Sequence, residues 1–310
     1  MEEPKKKFNL NNKKIWIAGE TGMVGKAILK QLKKKKSNNK FLNSKHLDLR
    51  RQVDVEDWMK KNKPNIIFLA AAKVGGILAN NNYPVNFIED NLLISLNVIR
   101  SSYLNKIEKL IYLGSSCIYP KGIEKPITED LILSGPLEST NQWYSIAKIS
   151  GMKVCQAYRK QYSCDFITLL PSNLYGPGDN FSKKNSHVPA ALIDRFHCAK
   201  EKKNKNVIVW GSGKPLREFL FVDDMAEACV FLAENYSSIY PINIGTGKEI
   251  SIKEFAKLIQ KTVNYNGKIV FDKTKPDGVY RKLLNVKKIN KLGWFAKTSL
   301  EMGLKKYYKW

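Results

Sequence analysis

The run KKIWIAGETGMVGKAILKQL, starting at Lys13, most constrains what this chain can fold into. KKIWIA reads as a short buried strand, and the residues after GETGMVG repeat at a helical period. Between them Gly19, Gly22 and Gly25 are spaced G-x-x-G-x-x-G. A strand turning tightly into a helix through three glycines is the opening of a dinucleotide-binding unit. Gly19 would permit the turn, Gly22 the close approach of a pyrophosphate to the helix N-terminus, and Gly25 the packing of helix on strand. Thr21, Met23 and Val24 would complete that contact. The rival reading, a tight turn with no ligand, does not explain why the glycines sit in this strand–loop–helix context.

The rest of the chain keeps the same rhythm. Apolar runs at 40–44, 64–72, 109–116 and 165–178 read as strands, and 53–62, 86–105 and 144–163 read as helices. Strands alternating with helices predict an α/β fold with a Rossmann-type, doubly wound parallel sheet. Beyond Gly176 the pattern loosens into a polar loop over 177–187, a helix over 188–200 and a strand over 207–213. Residues 217–235 then resume the strand–helix rhythm. The expected organisation is a dinucleotide-binding domain over 1–176, with 218–240 returning to it. A smaller C-terminal α/β substrate lobe would take 177–217 and 241–310. No internal repeat is visible.

Composition narrows the functional classes. The net charge of +25 raises nucleic-acid binding. However, the lysines fall in runs such as KKKK, KKNK and EKKNKN, with no basic–aromatic interleaving, so a nucleic-acid partner is not expected. A basic surface would still attract small anionic substrates. No stretch is apolar enough to span a membrane. MEEPKKKFNL lacks the apolar region of a secretory signal, and the five cysteines show no paired spacing. A cytoplasmic location, reduced thiols and no metal site are therefore expected.

The end of the second strand bears on the cofactor. An NAD site places an acid there to bind the adenosine ribose. This chain has Asn43, Ser44 and Lys45 instead, and Asp48 comes too late. A hydroxyl and a cation suit a 2′-phosphate, which predicts NADP(H). Downstream, Tyr144 and Lys148 form Y-x-x-x-K, a spacing that puts both on one helix face. A phenol is a poor proton carrier at neutral pH, and a neighbouring ammonium favours its ionised form. Ser115, at the end of the strand KLIYLGSS, is the third candidate, a hydrogen-bond donor to the same carbonyl oxygen. Tyr119 has no lysine four residues later and drops out.

The glycine loop, the strand ending in GSS and the Tyr144–Lys148 pair together resemble the extended short-chain dehydrogenase/reductases. Within them the chain resembles the family of GDP-L-fucose synthases most closely. LAAAKVGGI, NNNYP, LGSSCIYP, YSIAKISG, NLYGPGDNF, VIVWGSG, VDDMA, INIGTG and KPDG follow that family's order from about Lys13 onward. The resemblance implies NADPH-dependent conversion of GDP-4-keto-6-deoxy-D-mannose to GDP-L-fucose, by epimerisation at C3 and C5 and then reduction at C4. A C4 ketone acidifies both neighbouring carbons, and inversion needs one group to take a proton and another to return it on the opposite face. Cys117 and His187 are the candidates, and their individual roles stay open. Related dehydratases carry an acid where Cys117 stands.

By the same resemblance Leu113, Gly114, Ser116, Lys148, Pro171, Asn173, Leu174 and His187 would touch the cofactor. Arg195, Trp210, Arg217, Asp277 and Lys282 would touch the sugar nucleotide. Some members carry Arg where this chain has Thr21, so cofactor preference would rest on Ser44 and Lys45. The helices over 86–105 and 144–163 resemble a pair that forms a four-helix interface, implying a homodimer. The alternatives are another NAD(P)-dependent sugar-nucleotide epimerase or dehydratase and, more remotely, a basic binding protein on an inactive reductase scaffold.

Overall fold

The computed structural model describes residues 7–35, 37–182, 186–275 and 277–310. The polar loop expected over 177–187 thus lies partly outside the described residues. In chain order the elements begin with β1 (Lys14–Ala18), α1 (Met23–Lys34), β2 (Lys40–Leu42), α2 (Gln52–Asn62), β3 (Ile66–Leu69), α3 (Ile77–Asn82), α4 (Pro84–Leu104) and β4 (Lys109–Leu113). They continue with α5 (Gln142–Tyr162), β5 (Phe166–Pro171), β6 (Asn173–Tyr175), α6 (Val188–Glu201), β7 (Asn206–Trp210), β8 (Leu216–Arg217) and β9 (Phe219–Phe221). The last are α7 (Val222–Asn235), β10 (Ile242–Ile244), β11 (Ile250–Ser251), α8 (Ile252–Val263), β12 (Lys268–Asp272), β13 (Arg281–Lys282), α9 (Lys287–Lys291) and α10 (Leu300–Lys309).

Six of these strands form one parallel sheet in the order β10-β5-β4-β3-β1-β2. Strand periodicity sorts its side chains onto two faces. Ile15, Ile17, Ile66, Phe68, Ile111, Leu113, Ile167 and Leu169 enter one core with α1 and α7. Trp16, Ala18, Ile67, Leu69, Leu110, Tyr112, Phe166 and Leu170 enter the other with α2, α4 and α5. Both faces are covered, which is why these strands are near-continuous apolar runs. A third core gathers Leu192, Phe196, Val207, Val209, Phe219, Phe255, Ile259 and Leu304.

Several boundaries differ from the sequence reading. The 165–178 strand is two strands: β5 stays in the main sheet, and β6 pairs with β9 instead. The strand expected to run through Ser116 ends at Leu113, and Ser116–Ile118 is a 3-10 turn capped by the Ser115 hydroxyl. The return to the main sheet does not stop at 240. β10 forms its edge beside β5, and Ile289 and Trp294 pack into the first core. Its three residues follow Pro241 and are too few to show a period.

Helix α5 lies against β4 because residue 151 has no side chain. A Cβ there would run into the Tyr112 ring and hydroxyl. Gly151→Ala should therefore cost about 1–3 kcal/mol through overpacking, read as a lowered denaturation midpoint. An unchanged midpoint would mean that α5 is free to move away from the sheet.

Candidate active site

The glycine loop, the end of β4 and the end of β5 all lie at the carboxyl ends of parallel strands, where open α/β sheets hold ligands. Gly19 has φ +98°, and a Cβ on it would lie 2.7 Å from the Ala71 nitrogen, so the turn is closed to other residues. Helix α1 starts at Gly22 with no side-chain cap and no acid in its first turn. Its leading backbone N–H groups thus meet no carboxylate of their own helix and suit an anion. The residue with room for a ligand is Gly22, where a Cβ would meet only the Gly19 carbonyl oxygen, at 3.5 Å. This cradle fits a dinucleotide pyrophosphate.

Above β4 the expected catalytic residues converge. The buried Lys148 donates to the Leu113 carbonyl at 2.8 Å, and its nitrogen lies 5.9 Å from the Tyr144 ring centre. The Ser115 hydroxyl accepts the Cys117 N–H at 3.1 Å and also hydrogen-bonds Tyr144. Ser145 donates to the Cys117 carbonyl at 2.8 Å, fixing the loop to α5. Ser116 is buried beneath them. Tyr119 gives its hydroxyl to Asn243 at 2.6 Å in the interior, away from this chemistry.

One expectation about Tyr144 is corrected. The ammonium does not dominate: burial pushes the phenol up, the nearby Cys117 adds to this, and the Ser115 hydrogen bond pulls it partly back. Tyr144 is therefore a protonated phenol at neutral pH, a donor rather than a base. Burial also takes the Lys148 ammonium down to about 8.

Residues later in the chain bring cations to the turn after β4. Lys282 lies opposite Arg217 across β13 and β8, and its ammonium is 3.6 Å from the Cys117 sulfur. Arg217 donates to its own strand's Leu216 carbonyl at 2.8 Å. The Arg195 guanidinium stacks 4.9 Å from the centre of the Trp210 ring, and Trp210 is 43% exposed, which rules out a core role. Asp277 instead accepts the Ser212 N–H and hydroxyl at 2.6 and 2.7 Å, pinning the loop after β7. Asn173 donates to the Glu218 carbonyl at 2.8 Å. Pro171 and Leu174 lie at the adjoining ends of β5 and β6.

His187 precedes the first residue of α6 and is exposed. The protein around it pushes its pKa down and Asp179 pulls it back up. Because the ring is exposed, water offsets part of that push. Asp179 in turn accepts from Tyr307 at 3.1 Å.

One expected cofactor residue behaves differently from the sequence reading. Ser44 does not offer its hydroxyl to a phosphate. It donates to the Glu20 carboxylate at 3.1–3.2 Å and accepts from the Trp16 indole at 2.8 Å. Lys45 is exposed beside it. Glu20, Asp179 and Tyr307 carry no local signal in the sequence, because each reaches its partner only through the tertiary fold.

Comparison with known proteins agrees with this geometry. Residues 15–245 match the NAD dependent epimerase/dehydratase family. A putative GDP-L-fucose synthase 2 of Arabidopsis thaliana is 53% identical, over 96% of this chain and 91% of its own length. A GDP-L-fucose synthase of Sinorhizobium fredii is 51% identical, over 97% of this chain and 96% of its own. Among solved structures, a GDP-L-fucose synthetase from Naegleria fowleri bound to NADP has a TM-score of 0.91 at 31% identity, covering 99% of this chain and 96% of its own.

The buried lysine gives a pH prediction. The unfolded chain holds the Lys148 proton up to its ordinary 10.5, while the folded chain releases it near 8. The penalty on folding is thus full below about pH 8 and gone by about pH 10.5. Measured against Lys148→Met in urea unfolding of the unliganded protein, the native chain should gain up to about 3 kcal/mol across that interval. A flat difference would mean the ammonium is hydrated.

Proposed function

We infer the function from a fixed point: the chain belongs to the NAD dependent epimerase/dehydratase family. Within it the chain is an NADP-dependent GDP-L-fucose synthase, converting GDP-4-keto-6-deoxy-D-mannose to GDP-L-fucose. The observation that carries this reading is Cys117 two residues from Ser115, so that a proton-transfer thiol and a reductase centre share one turn. Relatives named for this activity, about half identical over nearly the whole chain, support it.

Bound NADPH supplies hydride to C4 of the keto sugar. Protonated Tyr144 gives its proton to the C4 oxygen, and the Ser115 hydroxyl hydrogen-bonds the same oxygen. Lys148, fixed by the Leu113 carbonyl, would hold the ribose of the bound cofactor. Before reduction, Cys117 and His187 exchange protons at C3 and C5. The Lys282 ammonium lies 3.6 Å from the Cys117 sulfur, which places Cys117 at the sugar end of the site as one of the two proton-transfer groups, with His187 the other. Arg195 and Arg217 suit the diphosphate and sugar oxygens, with Trp210 beside them. Asp277 acts indirectly, by holding the Ser212 loop.

The five cysteines are all free, which supports a reducing, cytoplasmic setting. Among the described residues no helix is long and apolar enough to cross a membrane. Helices α4 and α5 pack on each other, and Leu93, Leu96, Leu104 and Tyr162 stay exposed on them. That apolar face supports a homodimer.

With the keto sugar, NADPH should be consumed and GDP-L-fucose formed, and UDP-glucose should give no oxidation. Turnover of a non-ketone sugar nucleotide without net NADPH use would instead mark another epimerase or dehydratase. Tyr144→Phe should lower reduction by about 10²–10⁴-fold while solvent deuterium still enters the substrate. Cys117→Ser should suppress that exchange most. Equal loss of exchange in both variants would refute the division of labour.

A further inference from the structure

The sequence places no acid at the end of β2, yet the fold puts one there. Strands β1 and β2 pair in parallel, Trp16 opposite Leu42, so the chains leaving them run side by side. Glu20 leaves β1 within the glycine loop and Ser44 leaves β2. The Glu20 carboxylate accepts the Ser44 N–H at 2.7 Å and the Ser44 hydroxyl at 3.1–3.2 Å. The Trp16 indole, donating to that hydroxyl at 2.8 Å, fixes the whole arrangement from below. A carboxylate accepts about four hydrogen bonds, and Glu20 is only half-buried. It therefore keeps acceptor capacity beyond its contacts with Ser44.

In dinucleotide-binding sheets an acid at the end of the second strand accepts the adenosine ribose 2′-hydroxyl. Here the carboxylate arrives from the first loop instead and occupies the same end. We propose that Glu20 sets cofactor discrimination in this chain. Its carboxylate accepts the ribose 2′-hydroxyl and repels a 2′-phosphate, so the protein takes NAD(H) as well as NADP(H). Lys45 is the opposing group: of residues 43–45 it alone is cationic and able to attract the phosphate. Thr21, in the same loop, adds no charge. The balance between one carboxylate and one exposed ammonium leaves neither dinucleotide excluded.

The proposal rests on the cofactor reading above and not on the identity of the sugar. Its test is calorimetric titration of the full chain with NADP⁺ and with NAD⁺, without any sugar nucleotide. The native chain should bind both with Kd values within about tenfold of each other. Glu20→Gln keeps an acceptor oxygen for the Ser44 N–H but loses the charge. It should tighten NADP⁺ and weaken NAD⁺, shifting the ratio by about tenfold, the worth of one charge-assisted hydrogen bond. Lys45→Ala should move the ratio the other way. The two dinucleotides control for each other, since a loosened fold weakens both together. A parallel change in both, an unchanged ratio, or a native chain that rejects NAD⁺ more than about a hundredfold would overturn the proposal.

Discussion

The hydrogen bond from Lys148 to the Leu113 carbonyl is the contact on which the rest of the site depends. Among the described residues this ammonium has no carboxylate to pair with, and its fall to about 8 reflects what burial costs it. The Leu113 carbonyl at 2.8 Å and the Tyr112 ring at 5.0 Å offset part of that cost. Both belong to β4, so the lysine can be satisfied only when α5 sits in one rotation on that strand. One turn before it, Tyr144 then comes down beside Ser115. One turn after it, Gly151 lets the backbone close on Tyr112. Three positions on one helix face thus turn a strand end into a proton-donating centre.

What the sequence made legible follows from this locality. Ser115 and Cys117 lie in one turn, and Tyr144 and Lys148 lie in one helix, so spacing alone predicts their company. The glycine loop is legible for the same reason, since its three glycines act within a single strand–loop–helix unit. The doubly wound sheet was legible because both of its faces are buried, which makes its strands long apolar runs between amphipathic helices. β10, with three residues after a proline, had no room to show a period. The charge states were less legible. Y-x-x-x-K implied a phenol activated by its lysine, but burial outweighs the ammonium at Tyr144. Proximity can be read from spacing, whereas desolvation depends on everything packed around the pair.

The pairings the sequence hid are those made across the fold. Glu20 meets Ser44, Ser212 meets Asp277 and Asp179 meets Tyr307, all across large stretches of chain. In each case a residue expected to face the ligand, or one not expected at all, is joined to a partner that fixes its position. Ser44 and Asp277 are tied up by such partners, which moves the chemistry expected of them onto their neighbours. Ser44 is thereby held against Glu20, and Ser212 becomes the anchored point of the loop beside Trp210.

One dipeptide, Arg217–Glu218, ties together elements that lie far apart in sequence. Arg217 ends β8, and Glu218 is the one residue between β8 and β9. The Glu218 carboxylate is fully buried and collects the backbone N–H groups of Thr246, Gly247 and Leu284. Its own carbonyl takes the Asn173 amide. Chain segments far apart in sequence thus converge on a single satisfied acid. Arg217 is held beside it, across from Lys282, whose ammonium reaches the Cys117 sulfur. The Leu284 N–H that Glu218 accepts lies two residues after Lys282, so the same buried carboxylate fixes the chain that carries this ammonium.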